Sequence, residues 1–332
     1  MTALRILARR KAPAATIIPR EREYPRMPKF WDEYHLPATL DDALELLARY
    51  DGRARVIGGG TDLLLDLKEE HYSGEQPHYA ALIDVTRIAG ANEIREDGGW
   101  IVIGCAVTHT QVVASPLIQA RATALYEASG VVAGAQIRNT GTVVGNVAHA
   151  LPAADSAVAL AVLDAQVKRQ KAKGKSGDWV PIASIYLGPG KSAIDSTREL
   201  ISAIRFRPTD AQEGSAFTRI MRPQGIALPI LGMAARVQLT IVNCQLSITN
   251  CAISAGPVAP TLFRAMKTEE FLRGKAVDDA TLDEATRVLL SEAQPRTSAH
   301  RATREYRVEL LPTMLREVLT RATQCANEPM HQ

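Results

Sequence analysis

Two stretches of the chain carry residue types suited to holding an anionic ligand. The first is Val56-Ile57-Gly58-Gly59-Gly60-Thr61-Asp62-Leu63, a short apolar run that enters three glycines. With no Cβ atoms to cover them, the peptide N–H groups of such a turn stay open, and a concave run of amides suits a diphosphate. The Thr61 hydroxyl adds a donor. A plain tight turn uses glycine for the same backbone freedom, so this stretch alone leaves both readings open. It lacks the final glycine of the dinucleotide fingerprint. The second stretch is 136–155, with Thr142-Val143-Val144-Gly145-Asn146 at its centre. Small and hydrogen-bonding residues sit there between apolar flanks, as in a loop held against a polar ligand. Asp155, at its end, is either an acceptor for sugar hydroxyls or the N-cap of a helix over 156–165.

These stretches need elements to position them. Folded structure is expected from Pro28. Thr39 reads as an N-cap with Asp42 three residues on, and Leu40, Ala43, Leu44 and Leu47 follow at helical spacing. Strands are expected over 54–57, 80–85, 100–103, 182–186 and 199–206, with helices over 120–132 and 157–165. The polar, Pro208-bearing segment 207–214 marks a boundary. Residues 234–241 and 244–254 alternate like antiparallel strands. Beyond Pro260 the pattern is helical, over 261–271, 279–293 and 302–323, the last interrupted at Pro312. The expected division is a basic extension over 1–27 and folded parts over 28–88, 89–210 and 211–325.

Composition narrows the classes. The 332 residues are 46% hydrophobic and 23% charged, with a net charge of +3, so neither nucleic acid nor an anionic membrane is called for as a partner. No apolar run reaches the roughly 18 residues of a membrane span. Four scattered cysteines, Cys105, Cys244, Cys251 and Cys325, make no disulfide framework and fit a cytoplasmic setting. The Arg9-Arg10 pair suggests an export signal, but the apolar stretch after it is short and holds Pro13. A basic tail, or a start at Met27, are the other readings.

The two loops, taken in order, resemble the FAD-binding loops of the flavoprotein subunits of molybdenum hydroxylases, the xanthine dehydrogenase and carbon monoxide dehydrogenase family. The resemblance extends through Phe30-Trp31-Asp32-Glu33-Tyr34 and Leu82-Ile83-Asp84-Val85 to Ile103-Gly104-Cys105-Ala106-Val107-Thr108-His109. It continues in Glu199-Leu200-Ile201, Pro295-Arg296-Thr297-Ser298 and Tyr306-Arg307. It implies an α+β architecture: a two-part FAD-binding fold of the p-cresol methylhydroxylase type, followed by a C-terminal three-stranded sheet with helices. By the same resemblance, residues 58–62 and 142–146 wrap the FAD diphosphate, Val56, Ile57 and Leu63 belong to that site, and Asp155 bonds the sugar chain. Val132 and Leu200 or Ile201 map loosely to the flavin ring wall, and Arg219 to a position that tunes the flavin. Electrons would arrive from [2Fe–2S] clusters in a small subunit, after hydroxylation at molybdopterin in a large subunit. They would leave to NAD⁺ or another acceptor, within an (αβγ)₂-type assembly. The resemblance fails at one point: the family has two glycines before Asn146, and here Val144 precedes Gly145. Valine resists positive φ, so either that backbone is ordinary or FAD binding is altered. No cysteine-rich insertion lies between Asn146 and Asp155, unlike the 4-hydroxybenzoyl-CoA reductase branch.

Other signals are set aside. Leu187-Gly188-Pro189-Gly190-Lys191-Ser192 imitates a phosphate loop without its first glycine, and reads as a solvated turn. Cys244 and Cys251 read as apolar thiols, and no histidine pattern suggests a metal. His149 reads as a satisfied or exposed loop residue, with contact to the flavin as the other reading. Arg296, Arg301, Arg304 and Arg307 read as a solvated face interleaved with Glu305 and Glu309, with partner docking as the other reading. Two rivals remain. A self-sufficient FAD oxidase or dehydrogenase would need catalytic tyrosines or histidines in its C-terminal part, and 215–325 offers only Tyr306 and His300. An FAD-free scaffold is kept open by Val144.

Overall fold

The computed structural model describes residues 28–173, 177–222, 228–242, 245–299 and 301–327; the basic N-terminal stretch, Cys244 and His300 lie outside them. The chain begins with β1 (Trp31–His35), α1 (Leu40–Tyr50), β2 (Ala54–Ile57), α2 (Leu63–Tyr72) and β3 (Tyr79–Asp84). The three strands form a parallel sheet in the order β1-β3-β2. Helices α1 and α2 make the connections that parallel pairing requires. Thr39 caps α1 as its spacing predicts, accepting from Asp42 N at 3.1 Å, and Ala43, Leu47 and Tyr50 form the buried stripe.

The middle sheet is antiparallel. Strands β4 (Ile94–Asp97) and β5 (Trp100–Gly104) lead into six short helices: α3 (His109–Ala114), α4 (Pro116–Arg121), α5 (Thr123–Gly130), α6 (Ala135–Thr140), α7 (Val143–Ala148) and α8 (Asp155–Val162). The chain returns through β6 (Gln166–Lys171), β7 (Asp178–Pro181), a hairpin of β8 (Tyr186–Gly188) with β9 (Lys191–Ser192), and β10 (Glu199–Phe206). The sheet order is β4-β5-β10-β6-β7. All eight residues of α8 are buried, as expected of a helix apolar on every side. It packs against α5 and α7 and also against β12 (Pro229–Val242) and β13 (Gln245–Gly256), so it ties the middle of the chain to its C-terminal part.

The C-terminal sheet runs β11 (Glu213–Met221), β12, β13 and β14 (Phe263–Arg264), and α9 (Met266–Leu272), α10 (Asp279–Glu292) and α11 (Arg304–Asn327) complete the chain. The expected three strands are joined by a fourth, the two-residue β14, where Arg264 and Phe263 pair with Ser254 and Ala255. Arg264 is held there by Glu269 at 2.7 Å and the Ala161 carbonyl at 2.8 Å. The expected break at Pro312 does not occur. Helix α11 runs through it, because Leu311, Met314, Leu315, Val318 and Leu319 are all buried against the sheet, which outweighs one missing backbone bond. The strand expected over 182–186 is instead a 3₁₀ turn, Ile182–Ile185, before β8. Both isoleucines are buried, as the three-residue period of that turn allows. The helix expected over 120–132 is divided at Ala122 between α4 and α5. Among the described residues, no helix is long and apolar enough to cross a membrane.

Candidate functional site

β2 delivers the first loop. Its last residue is followed by Gly58–Gly60, and α2 begins three residues later, at Leu63. Gly60 has φ +69°, a conformation open to glycine at little cost. Gly59 is required by proximity: a Cβ there would lie 2.1 Å from the Thr140 carbonyl oxygen. The amides of Gly59, Gly60 and Thr61 donate to no acceptor among the described residues.

The second loop is strapped to the end of β5. Thr142 bridges Thr108, Val143 N donates to Val107 O at 3.0 Å, and His109 N donates to Gly141 O at 3.2 Å. The stretch expected as a loop is largely helical, because α6 and α7 lie within it. Thr142 caps α7, its hydroxyl accepting from Gly145 N at 2.9 Å. The two loops meet. Gly59 abuts Thr140 and Gly141, and Thr142 Oγ1 lies 3.2 Å from where a Cβ on Gly58 would sit. His149, just past α7, reaches back to α2, with Nδ1 at 3.6 Å from Asp62 and Nε2 at 3.3 Å from Asp66.

Between the loops and the C-terminal sheet lies a cavity of about 500 Å³, well within the size range of small-molecule sites. Val56, Ile57, Gly58, Gly59, Gly60, Thr61, Asp62 and Leu63 all line it, as do Thr142, Val144, Gly145, Asn146, Asp155 and Arg219. Val143 does not: its side chain is fully buried in the core, since α7 turns alternate valines inward and toward the cavity. The apolar candidates Val132, Leu200 and Ile201 also line it.

The far end is charged. Asp155 is the first residue of α8, not its cap; Ala154 takes that position. Its Oδ2 accepts from Arg219 Nη1 at 2.6 Å, with both side chains almost wholly buried. Burial pushes the Asp155 carboxyl up to about 6, against the pull of Arg219 and Arg301. Asp155 Oδ1, Arg219 Nε and Asn146 Oδ1 are buried without partners among the described residues. Such orphans are costly unless something completes them.

Sequence reasoning missed two wall residues. His109 is 2% exposed, and its Nδ1 lies 3.3 Å from Ser156 Oγ. Burial, with the nearby Arg138 charge, pushes it down to about 4, so it stands neutral at pH 7. The signal was only its place in a run ending at the loop's strap. Arg301 lines the cavity and is half-buried, while Arg307 is 1% exposed and donates to the Arg296 carbonyl at 2.5 Å. The solvated-face reading holds for Arg296 and Arg304, which are exposed. It fails for Arg307, which α11 turns toward the molecule, and for Arg301, which stands ahead of that helix and lines the cavity.

Known proteins share this fold. Residues 28–208 match the family described as FAD binding domain in molybdopterin dehydrogenase, and 215–322 match the CO dehydrogenase flavoprotein C-terminal domain. This chain is an FAD-binding subunit of the molybdenum hydroxylase family. The xanthine dehydrogenase FAD-binding subunit of Escherichia coli O157:H7 is 31% identical over 294 residues, 88% of this chain and 96% of that protein. The carbon monoxide dehydrogenase medium chain of Hydrogenophaga pseudoflava is 28% identical over 300 residues, 90% of this chain and 99% of its own length. A solved structure of the Hydrogenophaga pseudoflava carbon monoxide dehydrogenase, which lacks the Mo-pyranopterin moiety, superposes with a TM-score of 0.79. That match is 26% identical and covers 90% of this chain and 98% of the matched one. The relatives are dehydrogenase subunits, and this FAD subunit is likewise part of an oxidoreductase. Its departure at Val144 has a simple structural reading. Val144 lies within α7, and φ is not positive there, so the backbone is one that valine adopts without strain.

Proposed function

We propose that the cavity holds FAD, with the diphosphate between the glycine loop 58–62 and residues 142–146. The supporting observation is the meeting of the two loops around amides that donate to nothing else among the described residues. Amides in such a concavity bind phosphate oxygens without a cation. Asp62 is placed to accept from sugar hydroxyls, and the orphan Oδ1 of Asp155 does the same toward the ribityl chain. Asn146 Oδ1 accepts a further donor. Val132, Leu200 and Ile201 pack the ring and exclude water from it. His109, neutral and buried, keeps the wall between the second loop and α8 uncharged. Arg219 holds Asp155 ionised and adds a donor, Nε, to the site.

FAD supplies the redox chemistry: it takes electrons delivered one at a time and releases them in pairs. In our reading they come from [2Fe–2S] clusters of a small partner subunit, fed by a large molybdopterin subunit. They pass to NAD⁺ or another acceptor, in a cytoplasmic (αβγ)₂-type assembly. Three measurements test this. The purified chain should be yellow after incubation with FAD, should reduce a dye with NADH, and should co-purify with two partner subunits from its native host. A chain that stays colourless with excess FAD overturns the reading.

A further inference from the structure

One cation facing the cavity makes no ion pair at contact distance among the described residues. Arg301 stands in a tight turn ahead of α11, where Ser298 N donates to Ala302 O at 2.9 Å and Arg301 N donates to Ser298 O at 3.2 Å. The buried Arg307 holds the other side of the turn through the Arg296 carbonyl. Arg301 lines the cavity with Asp155 and Arg219. Its guanidinium makes no hydrogen bond and no ion pair among the described residues, whereas Arg219 is committed to Asp155 at 2.6 Å. An arginine keeps its charge under these conditions. The charged groups near Arg301 are Asp155 on α8, Arg219 on β11, Arg296 in its own turn and Arg307 on α11. With Asp155 and Arg219 cancelling at contact distance, the charge this end offers a ligand is that of Arg301.

We propose that Arg301 compensates the charge of the reduced flavin, and so sets how readily the bound cofactor accepts electrons. This rests on the FAD reading above. Reducing a flavin at neutral pH takes up two electrons and one proton. The proton goes to N5, and the ring gains one negative charge shared by N1 and the C2 carbonyl. The one net positive charge that Asp155, Arg219 and Arg301 leave at this half-buried end favours that anion over the neutral oxidised ring. Arg219 does so only weakly, because Asp155 already holds its charge. A charge-assisted hydrogen bond of ordinary strength shifts the reduction equilibrium about ten- to a hundredfold.

The test uses the full chain loaded with FAD and reduced by dithionite against an indicator dye at several pH values. Arg301→Gln should move the equilibrium at least about tenfold toward the oxidised form, which is roughly 30 mV for a two-electron couple. Between pH 6 and 7 its proton uptake per two electrons should exceed that of the native chain, because N1 then keeps its proton to a higher pH. Arg301→Lys, which keeps the charge, should stay close to the native chain in both respects. A yellow Arg301→Gln protein with the native equilibrium and proton count overturns the proposal, and so does an Arg301→Lys protein that shifts tenfold. Should Arg301→Gln fail to hold FAD, the native chain decides: proton uptake that stays near one per two electrons down to pH 6 supports the proposal, and uptake that rises there as it does for free FAD overturns it. A native chain that stays colourless sinks the FAD reading and this inference with it. A yellow native chain with unresponsive variants sinks only the role of Arg301.

Discussion

The two ends of the cavity offer a ligand different means of binding. At one end the donors are neutral peptide N–H groups in loops, each set by a few neighbouring residues. At the other, charges arrive from three separate elements: Asp155 from α8, Arg219 from β11 and Arg301 from the turn before α11. Neutral amides hold a diphosphate without needing an exact charge count. A buried charge cluster is sensitive to each member, since removing one leaves another uncompensated in a poorly hydrated site. The loop end is therefore suited to affinity and the charged end to electronic tuning.

The contrast is sharpest if the charged end is broken. Arg219→Ala leaves Asp155 buried and unpaired, and should cost about 3–5 kcal/mol of unfolding free energy in urea at pH 7.5. Removing both partners together, as Asp155→Asn with Arg219→Met, should cost clearly less. Equal costs would mean that the pair does not behave as a buried ion pair.

His109 probes the wall between the ends. Its pKa in the fold is about 4, below the ordinary 6.5, so folding favours the neutral ring. The resulting stability is fully present above pH 6.5 and is lost as pH falls toward 4, on the order of 3 kcal/mol in all. Asp155 works in the opposite sense between pH 4 and 6, since its folded pKa is raised, so the native curve alone is ambiguous. The measurement is the stability of the native chain minus that of His109→Gln. That difference should fall as the pH drops from 6.5 to 4, and a flat difference would show that the ring is solvated.

Breaking the loop end should affect the ligand more than the fold. Gly59→Ala places a methyl on the Thr140 carbonyl and should weaken FAD binding about a hundredfold, roughly 2.7 kcal/mol, by flavin fluorescence quenching. His149→Gln should act least. Asp62 and Asp66 are both more than a third exposed, so these pairs are worth at most about 1 kcal/mol, and FAD affinity should change no more than about fivefold.

The same contrast explains what could be read from the sequence. The first loop was legible because strand, glycines and helix follow one another without a gap. The second was recognisable in composition, but its helices α6 and α7 were not, since six-residue helices leave little periodicity. That is also why Val143 and Val144 could not be told apart: one faces the core and the other the cavity. The sequence offers Asp155 as a candidate site residue, yet its partner in the fold is 64 positions away in β11, a pairing that no local pattern announces. Arg301 and Arg307 were misread for the same reason. Their glutamate neighbours suggested solvent, and only the packing of α11 and of the turn before it brings these two inward. Pro312 argued for a break that burial of the helix's apolar stripe overrides.

The central claim is that two converging loops grip the diphosphate of a flavin dinucleotide. It is tested most directly by comparing the dissociation constants of FAD and riboflavin for the cofactor-free chain, read from flavin fluorescence. The two ligands share the ring and ribityl chain, but only FAD carries the diphosphate. FAD should bind at least a hundredfold more tightly, and Gly59→Ala should erase most of that preference. Equal affinities, or a preference untouched by Gly59→Ala, would contradict the account.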